Sequence, residues 1–497
     1  MSGAQSEAQP HGQQTTEAGA NWIDQVIAAT PQAQPDEARR LVQTFLLEAQ
    51  RETVTFDRNL TRSINDAISK LDEQISKQLN EIIHHPQFAK LEGSWRGLHY
   101  LVKNSETGTN LKIRVLNASK ETLAKNLEKA VEFDQSALFR AIYESEFGQA
   151  GGAPYGALIG DYEWTTHPED IQALRGISQI AAASFAPFIS AAAPALCGFK
   201  SWTELPRTRD LKTIFDTEKY TAWRSFRDMD ESRFVSLVMP RVLARLPYGK
   251  ETKRAEGFNY EEAPIDKDGT PRAMDHDNYC WMNAAYAAGV RLTSAFADYG
   301  FCTAIRGKDS GGRVDNLPVH VFTSQDGDDE GKCPAEILIP DRREKELSDC
   351  GFLPLIHYKN TDYAVFIGGQ TAHKPKKLDT PDATANEQIS ARLPYLMATS
   401  RFAHYLKIMA RDKIGSAMEA EDCERWLNRW INQYTNENAS AGEEMRARFP
   451  LREAKIAVVP VPGAPGEYRA VAHLRPWLQF EGLTASMRLV ADIPKRS

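Results

Sequence analysis

The feature that most constrains the fold is a long apolar repeat with helical spacing. Large apolar residues recur every three or four positions, at Ile64, Ile68, Leu71, Ile75, Leu79 and Ile82. This spacing places them on one face of a single long helix, which is predicted to end near Pro86. His84 and His85 are expected to cap the dipole of that helix, with metal binding as the less favoured alternative. The sequence therefore predicts a helical N-terminal region.

The first 35 residues combine a polar arm with a short amphipathic segment. Residues 1–20 are mostly small and polar, which predicts a disordered arm because they bury too little apolar surface to offset the entropy of ordering. Residues 21–35 are predicted to be a tethered amphipathic helix and a linker, because an apolar stripe and a first-turn carboxylate are formed by Trp22, Ile23, Asp24, Val26 and Ile27. So short a helix needs a docking surface, on its own domain or in a partner groove.

The remaining chain divides by its periodicity into three parts. Residues 36–110 are predicted to be mainly helical, interrupted by a strand-forming or extended stretch at Thr53, Val54, Thr55 and Phe56. Residues 111–450 mix helices, at 402–414 and 421–434, with strands at 111–115, 157–160, 319–322, 336–339 and 364–367. Residues 451–497 are predicted to form strands at 455–461, 468–474 and 483–493. The predicted class is α+β, with a helical N-terminal region, a mixed α/β core and a strand-rich C-terminal segment.

Composition excludes several classes of protein. The net charge of -7 gives no basic excess with which to hold nucleic acid. The chain contains no run of about 18 apolar residues, as a membrane span requires, and its N-terminus lacks a secretory signal pattern, so we expect a cytoplasmic protein without membrane insertion. The six cysteines include no C-x-x-C pair, which favours buried free thiols over a disulfide framework or a zinc site.

Sequence patterns that carry catalysis or hold cofactors are missing from the chain. Gly307-Lys308 is followed by an aspartate and not by the serine or threonine of a phosphate-binding loop. The acidic run that begins at Asp326 resembles a calcium loop, but its twelfth position is Ile337, where a bidentate carboxylate belongs. We therefore predict no catalytic residues, no cofactor and no metal, although a hydrolase with dispersed residues stays open as an alternative because such sites are assembled in space.

Charged residues instead form dense blocks. Residues 341–349 contain three bases and four acids. Residues 239–247 are interpreted as helical, with Arg241 and Arg245 on one face. A solvated face is one interpretation of such blocks. Complementary interfaces between subunits, which use charge to fix register, are the other.

Several long motifs resemble the large sheath subunit of bacterial type VI secretion systems. The matching stretches, spread from about residue 21 to the C-terminus, lie at 133–139, 237–241, 246–249, 281–286, 341–355 with His357, Lys359, Thr361 and Asp362 following, 383–386, 390–395, 400–407, 474–476, 481–484 and 487–490. This family implies a heterodimer with a small sheath subunit, paired through the helical region 36–110. It also implies a helical polymer of such heterodimers that extends from a baseplate around an inner tube of hexamers. Contraction of this sheath propels the tube and its effectors into a target cell.

The resemblance also assigns roles to individual segments. Neighbouring sheath subunits in the family exchange strands, and the candidates here are Thr53, Val54, Thr55 and Phe56 together with Met487, Arg488, Leu489 and Val490. Residues 451–497 would contribute to this inter-subunit sheet and to the inner sheath layer. The helix at Trp22–Ile27 would bind the disassembly ATPase that recycles contracted sheaths, and Arg241 and Arg245 are candidates for contact with the inner tube. A sheath protein of another contractile injection system or of a phage tail is the alternative.

Overall fold

The computed structural model describes residues 40, 43–44, 47, 60–264, 272–324, 327–413, 419–438, 440–460 and 468–479. The predicted helix at Trp22–Ile27 and the two predicted exchange segments, 53–56 and 487–490, lie outside the described residues. Two compact units are present. The smaller unit comprises residues 1–83 and 248–263, and the larger unit comprises residues 84–247 and 264–497.

The described chain contains both helices and strands. The helices are α1 (Leu60–Ile83), α2 (Pro86–Lys103), α3 (Lys120–Lys129), α4 (Ala137–Phe139, followed by a π-helix over Arg140–Phe147), α5 (Pro168–Ser184), α6 (Leu211–Phe215), α7 (Thr221–Arg227), α8 (Ala284–Tyr299), α9 (Asp341–Asp349), α10 (Pro381–Ser390), α11 (Leu393–Asp412), α12 (Ala420–Ile431) and α13 (Glu443–Arg448). The strands are β1 (Leu158–Trp164), β2 (Phe188–Ala192), β3 (Val235–Met239), β4 (Val242–Leu243), β5 (Trp281–Met282), β6 (Arg313–Val314), β7 (Val321–Thr323), β8 (Asp329–Gly331), β9 (Phe352–His357), β10 (Ala364–Phe366), β11 (Leu451–Pro460) and β12 (Tyr468–Pro476). The predicted α+β class is confirmed.

A six-stranded sheet in the order β1-β2-β3-β9-β10-β6 organises the larger unit. The first four strands are parallel, and β10 runs antiparallel to both β9 and β6. Because successive strand residues point to opposite faces, the sheet separates two apolar cores. Phe188, Leu237 and Phe352 pack into the core that contains α5, whereas Ile189 and Val238 pack into the core that contains α8. Buried faces on both sides explain why these strands read as continuous apolar runs.

The C-terminal part of the larger unit has its own apolar cluster. The strands β11 and β12 form a long antiparallel hairpin. Leu427 and Ile431 of α12 and Phe402 of α11 pack with Leu451 and Ile456 of β11. Two of the strands predicted for this region are therefore observed, and the third, over 483–493, lies outside the described residues.

Two predicted strands are wrong. Residues 111–115 are extended but have no ladder partner among the described residues, because no neighbouring segment runs beside them. Residues 336–339 have no strand geometry. Glu336, Ile337 and Ile339 are buried and Leu338 is exposed, and the Glu336 side chain is bonded to Arg241. The predicted helix over 239–247 is also wrong: this segment is extended and includes the end of β3 and all of β4.

Candidate assembly surfaces

The helix α1 presents its apolar stripe to solvent. Ile64, Ile68, Leu71, Ile75 and Ile82 are each between 37% and 58% exposed, although the helix itself is as long as the repeat predicted. Within the smaller unit, the Tyr260 hydroxyl donates a hydrogen bond to the Asn80 side chain, and Ala67 is buried. A stripe of large aliphatic side chains at heptad-like spacing fits a second helix.

One edge of the C-terminal hairpin is covered by α12. The Asn428 side chain donates to the Ile456 carbonyl at 2.7 Å and accepts from the Ile456 amide at 2.9 Å. The Glu424 carboxylate accepts from the Val458 amide at 2.9 Å. These three bonds satisfy the Ile456 amide and carbonyl and the Val458 amide, which point away from β12, and so α12 obstructs this edge for a further strand.

The other edge of the hairpin, along β12, is open. Ala470 pairs with Val458 and Ala472 pairs with Ile456. Because the amides of these two β11 residues point away from β12, the amides of Ala470 and Ala472 must point away from β11. No described segment pairs with this edge of β12, and most β12 side chains are exposed. The hairpin can therefore accept one more strand, on the β12 side.

The two candidate inner-tube arginines lie in ion pairs with carboxylates far away in sequence. Arg241 bonds Glu336 through two nitrogens, at 3.0 and 2.7 Å, and His276 Nε2 lies 3.1 Å from the same carboxylate. Burial raises the pKa of Glu336, but the bonds from Arg241 and His276 outweigh it and lower the pKa to about 2. The carboxylate thus stays ionised and holds the β3–β4 connection to the segment that contains Glu336.

Arg245 is more deeply buried than Arg241. Its Nε lies 2.7 Å from the carboxylate of Glu92 on α2, and only 5% of its side chain is exposed, compared with 32% for Arg241. Of the two, only Arg241 leaves part of its side chain accessible to another chain.

A group of potential metal ligands occurs at Asp230, His373 and Glu387. His373 Nε2 lies 2.8 Å from the Glu387 carboxylate. Two cationic side chains already form ion pairs with these carboxylates. Arg233 lies within ion-pair distance of Asp230 and of Glu387, and Lys376 lies 3.4 Å from Asp230. A metal ion would have to displace both cations, so the arrangement fits an internal ion-pair network better than a metal centre.

All six cysteine thiols are free; Cys197, Cys280 and Cys350 are buried, as predicted, whereas Cys302, Cys333 and Cys423 are half-buried. Burial raises the pKa of Cys280 and of Cys302 to about 12, and the pKa of Cys350 to about 11. Thiols that remain protonated are poor nucleophiles. They act as small apolar residues of the interior.

One surface was missed by the sequence analysis, although a periodic signal was present. On α2, apolar residues at alternating spacings of three and four occupy the exposed face, at Phe88, Leu91, Trp95, Leu98 and Val102. In the described residues, no helix has the length and apolar character to cross a membrane.

The sequence is similar to two protein-family models and to a known sheath protein. Residues 65–373 match the family model described as EvpB/VC_A0108, tail sheath N-terminal domain. Residues 382–493 match its companion, the tail sheath gpW/gp25-like domain. The chain is 46% identical over 492 residues to the type VI secretion system sheath protein TssC1 of Pseudomonas aeruginosa, and the match covers 98% of this chain and 97% of that protein.

Solved structures with partial likeness come from the anti-feeding prophage. Its baseplate, determined by cryo-electron microscopy, includes a chain that matches 81% of this one and 87% of its own length, with 10% identity and a TM-score of 0.38. Its helical sheath in the contracted state matches 64% of this chain and 66% of its own, with 9% identity and a TM-score of 0.28.

Proposed function

Because the chain belongs to the family of type VI secretion sheath proteins, we propose that it pairs with a small sheath subunit and polymerises with it around an inner tube. It is a large structural subunit of a contractile sheath, and its role is not enzymatic. The observation that carries this conclusion is identity of 46% over nearly the whole chain. The family assignment favours a type VI sheath over another contractile injection system or a phage tail.

The proposed mechanism stores energy in subunit contacts. The sheath assembles in an extended form from a baseplate, and contraction exchanges one set of contacts between subunits for a set of lower free energy. No nucleotide is hydrolysed by the sheath itself, so the tube and its effectors are propelled by the difference between the two sets. We infer that assembly takes place in the cytoplasm.

The exposed stripe of α1 supports pairing with the small subunit through the region 36–110. Five large aliphatic residues on one face would each bury apolar area against a partner helix. Replacing Ile68 and Ile75 with glutamate would place two charges in that interface. We expect the double variant to lose co-purification with the small subunit, while Gln74→Glu, which adds one charge to an exposed position on the same helix, retains it. Co-purification of the double variant at the normal level would contradict this role of α1.

The open edge of β12 supports strand exchange between subunits. We propose that it receives a strand from a neighbouring subunit, with residues 53–56 and 487–490 as candidate donors. Ala470→Pro removes an amide that points away from β11, so the hairpin keeps its own bonds while the edge loses a donor. We expect heterodimers that form normally but do not polymerise into tubes visible by electron microscopy.

Ala470→Ser is the matched control for the edge, because it changes the side chain and keeps the amide. Tubes of normal length from Ala470→Pro would exclude β12 as the acceptor. Loss of the heterodimer itself would mean that the variant had disturbed the fold, and the melting temperature would show this directly.

Two further roles follow from the family. The segment at Trp22–Ile27 is proposed to bind the disassembly ATPase, and deletion of residues 1–30 is expected to leave contracted tubes that the ATPase no longer dismantles. Unchanged disassembly would exclude this segment as the binding site of the ATPase.

Arg241 is the better candidate for contact with the inner tube, since Arg245 is almost wholly buried by its pairing with Glu92.

A further inference from the structure

The helix α2 packs against the larger unit through its smallest residues. A side-chain carbon at Gly93 would collide with the backbone carbonyl of Trp281, and one at Gly97 would collide with the ring of Tyr286. Gly93, Gly97 and Leu101 are the buried residues of α2. The glycines allow the helix backbone to approach β5 and α8 closely.

A buried ion pair with Arg245 fixes the rotation of α2 about its axis. The Glu92 carboxylate accepts from the buried Arg245 at 2.7 Å and from Arg96, one turn further along α2, at 2.7 Å. Burial raises the pKa of Glu92, but the bonds from Arg245 and Arg96 lower it overall. The carboxylate is therefore ionised at neutral pH, and α2 cannot roll to bury its other face without breaking a buried ion pair.

The opposite face of α2 carries its large apolar side chains. Phe88, Leu91, Trp95 and Val102 are exposed, Trp95 by 66%, and Leu98 lies half-buried between them. The spacing of three, four, three and four residues is that of the a and d positions of a coiled coil. A helix that buries glycines and exposes a tryptophan at a d-type seam has its apolar surface arranged for another helix and not for its own domain.

The apolar surface continues beyond the end of α2 into a groove of about 510 Å³. The apolar part of its wall is formed by Leu98 and Val102 of α2 and by Leu111, Ile113 and Val115 of the extended segment that was wrongly predicted as a paired strand, and Thr107 and Lys112 add polar groups to the lining. The seam and the groove together span more than the length of α2, about 27 Å for its 18 residues. This length matches a partner helix of at least about five turns.

The charges beside the seam indicate the chemistry of that partner. The helix α2 carries Lys90, Arg96 and Lys103 against a single acid, Glu92, which is engaged by Arg245. In the described residues, Lys90 and Lys103 are exposed and form no ion pair. Two copies of this helix placed face to face would bring like charges together, whereas an acidic helix would complement them.

We propose that the outward seam of α2, with the adjoining groove, binds an acidic amphipathic helix contributed by another chain of the sheath. The small sheath subunit is the supplier, and in this respect the inference rests on the proposed function. It adds a second contact of defined chemistry to the pairing already assigned to α1. Apolar residues at three- and four-residue spacing on the partner would meet Leu91, Trp95 and Leu98.

Hydrogen exchange of the full chain tests the inference, measured alone and in the purified heterodimer with the small subunit. Peptides covering residues 86–103 and 111–116 are expected to exchange more slowly in the heterodimer. Trp95→Glu is expected to abolish this protection and to weaken the heterodimer by at least about 30-fold, because a central aromatic anchor typically contributes 2 kcal/mol or more. The exchange of α5 and α8 in the free variant shows whether the fold is intact.

Charge-matched variants test the acidic character of the partner helix. Lys90→Glu combined with Lys103→Glu is expected to weaken the heterodimer several-fold, with a smaller effect at high salt. Lys125→Glu combined with Lys129→Glu, the same charge change at two exposed positions on α3, is expected to leave the affinity unchanged. Equal affinities for both would overturn the charge argument.

Each remaining outcome identifies a different failure. A heterodimer in which residues 86–103 exchange as fast as in the free chain would overturn the inference and leave the proposed function intact. Protection of residues 86–103 in the chain alone would also overturn the inference. If that protection increased with protein concentration, the occupant of the seam would be a second copy of the chain. If the protection were lost on deletion of residues 1–59, the occupant would be the chain's own N-terminus. Absence of any heterodimer would overturn the inference together with the proposed function.

Discussion

The helices α5 and α2 belong to the same unit but use their apolar residues in opposite ways. α5 buries Ile171, Leu174 and Ile177 against the central sheet. α2 buries two glycines and exposes Phe88, Leu91 and Trp95. The apolar face of α5 is therefore covered within the chain, whereas in the part of the chain that the structure describes no other element covers the outward apolar face of α2.

The largest expected effect is on the interior side of this comparison. Leu174→Ala on α5 removes a fully buried side chain and is expected to destabilise the free chain by about 2–5 kcal/mol, because it leaves a cavity as well as losing transfer free energy. Gln172→Ala, at an exposed position of the same helix, is the control and should change stability by less than about 0.5 kcal/mol. Urea denaturation followed by circular dichroism measures both. Equal midpoints would show that α5 is not the completed element described above.

A pH titration tests the interior at Glu336. The pKa of Glu336 is about 2 in the folded chain and lies below its ordinary value of 4.5. Its contribution to the free energy of unfolding is therefore fully present above pH 4.5 and is lost as pH falls towards 2. The difference corresponds to about 3 kcal/mol. Glu336→Gln is expected to be less stable than the native chain at pH 7 and to lose less stability between pH 5 and pH 2. Parallel profiles for the two proteins would contradict the ion pair.

The inward face of α2 should resist even one added methyl group. Gly93→Ala is expected to destabilise the chain by about 1–3 kcal/mol, since the new carbon meets the Trp281 backbone carbonyl, which cannot rotate away. Gly108→Ala makes the same chemical change where nothing lies within 4 Å, and it should have little effect. A melting temperature for Gly93→Ala at or above the native value would show that α2 does not pack through its glycines.

The smallest effect is expected on the outward face of α2. Trp95→Ala should change the stability of the free chain by less than about 0.5 kcal/mol, because the indole is mostly in solvent. The same change at a buried tryptophan typically costs 3–5 kcal/mol, and Trp223, which is 1% exposed, provides that contrast. A loss above about 2 kcal/mol for Trp95→Ala would mean that its apolar surface is used within the chain.

Much of the fold followed from local periodicity. The repeat from Ile64 to Ile82 predicted α1 nearly to its last residue, and buried apolar runs predicted β1 and β10. Failures occurred where a tertiary partner decides the outcome. Residues 111–115 alternate as a strand does but have no paired strand in the described chain. Glu336 begins an apolar run that does not form a strand, because an ion pair with Arg241 holds its side chain.

The amino-acid sequence by itself determined the family, the α+β class and the amphipathic periodicity of the helices, because motifs and side-chain spacing are local properties of the chain. Only the tertiary structure decided which face of each helix is free. Arg241 and Arg245 find their carboxylates 95 and 153 residues away. The pair of Arg245 with Glu92, together with the close approach of Gly93 and Gly97 to β5 and α8, turns the apolar seam of α2 outward. Spacing reveals that a seam exists, but its orientation depends on contacts between residues that only the folded chain brings together.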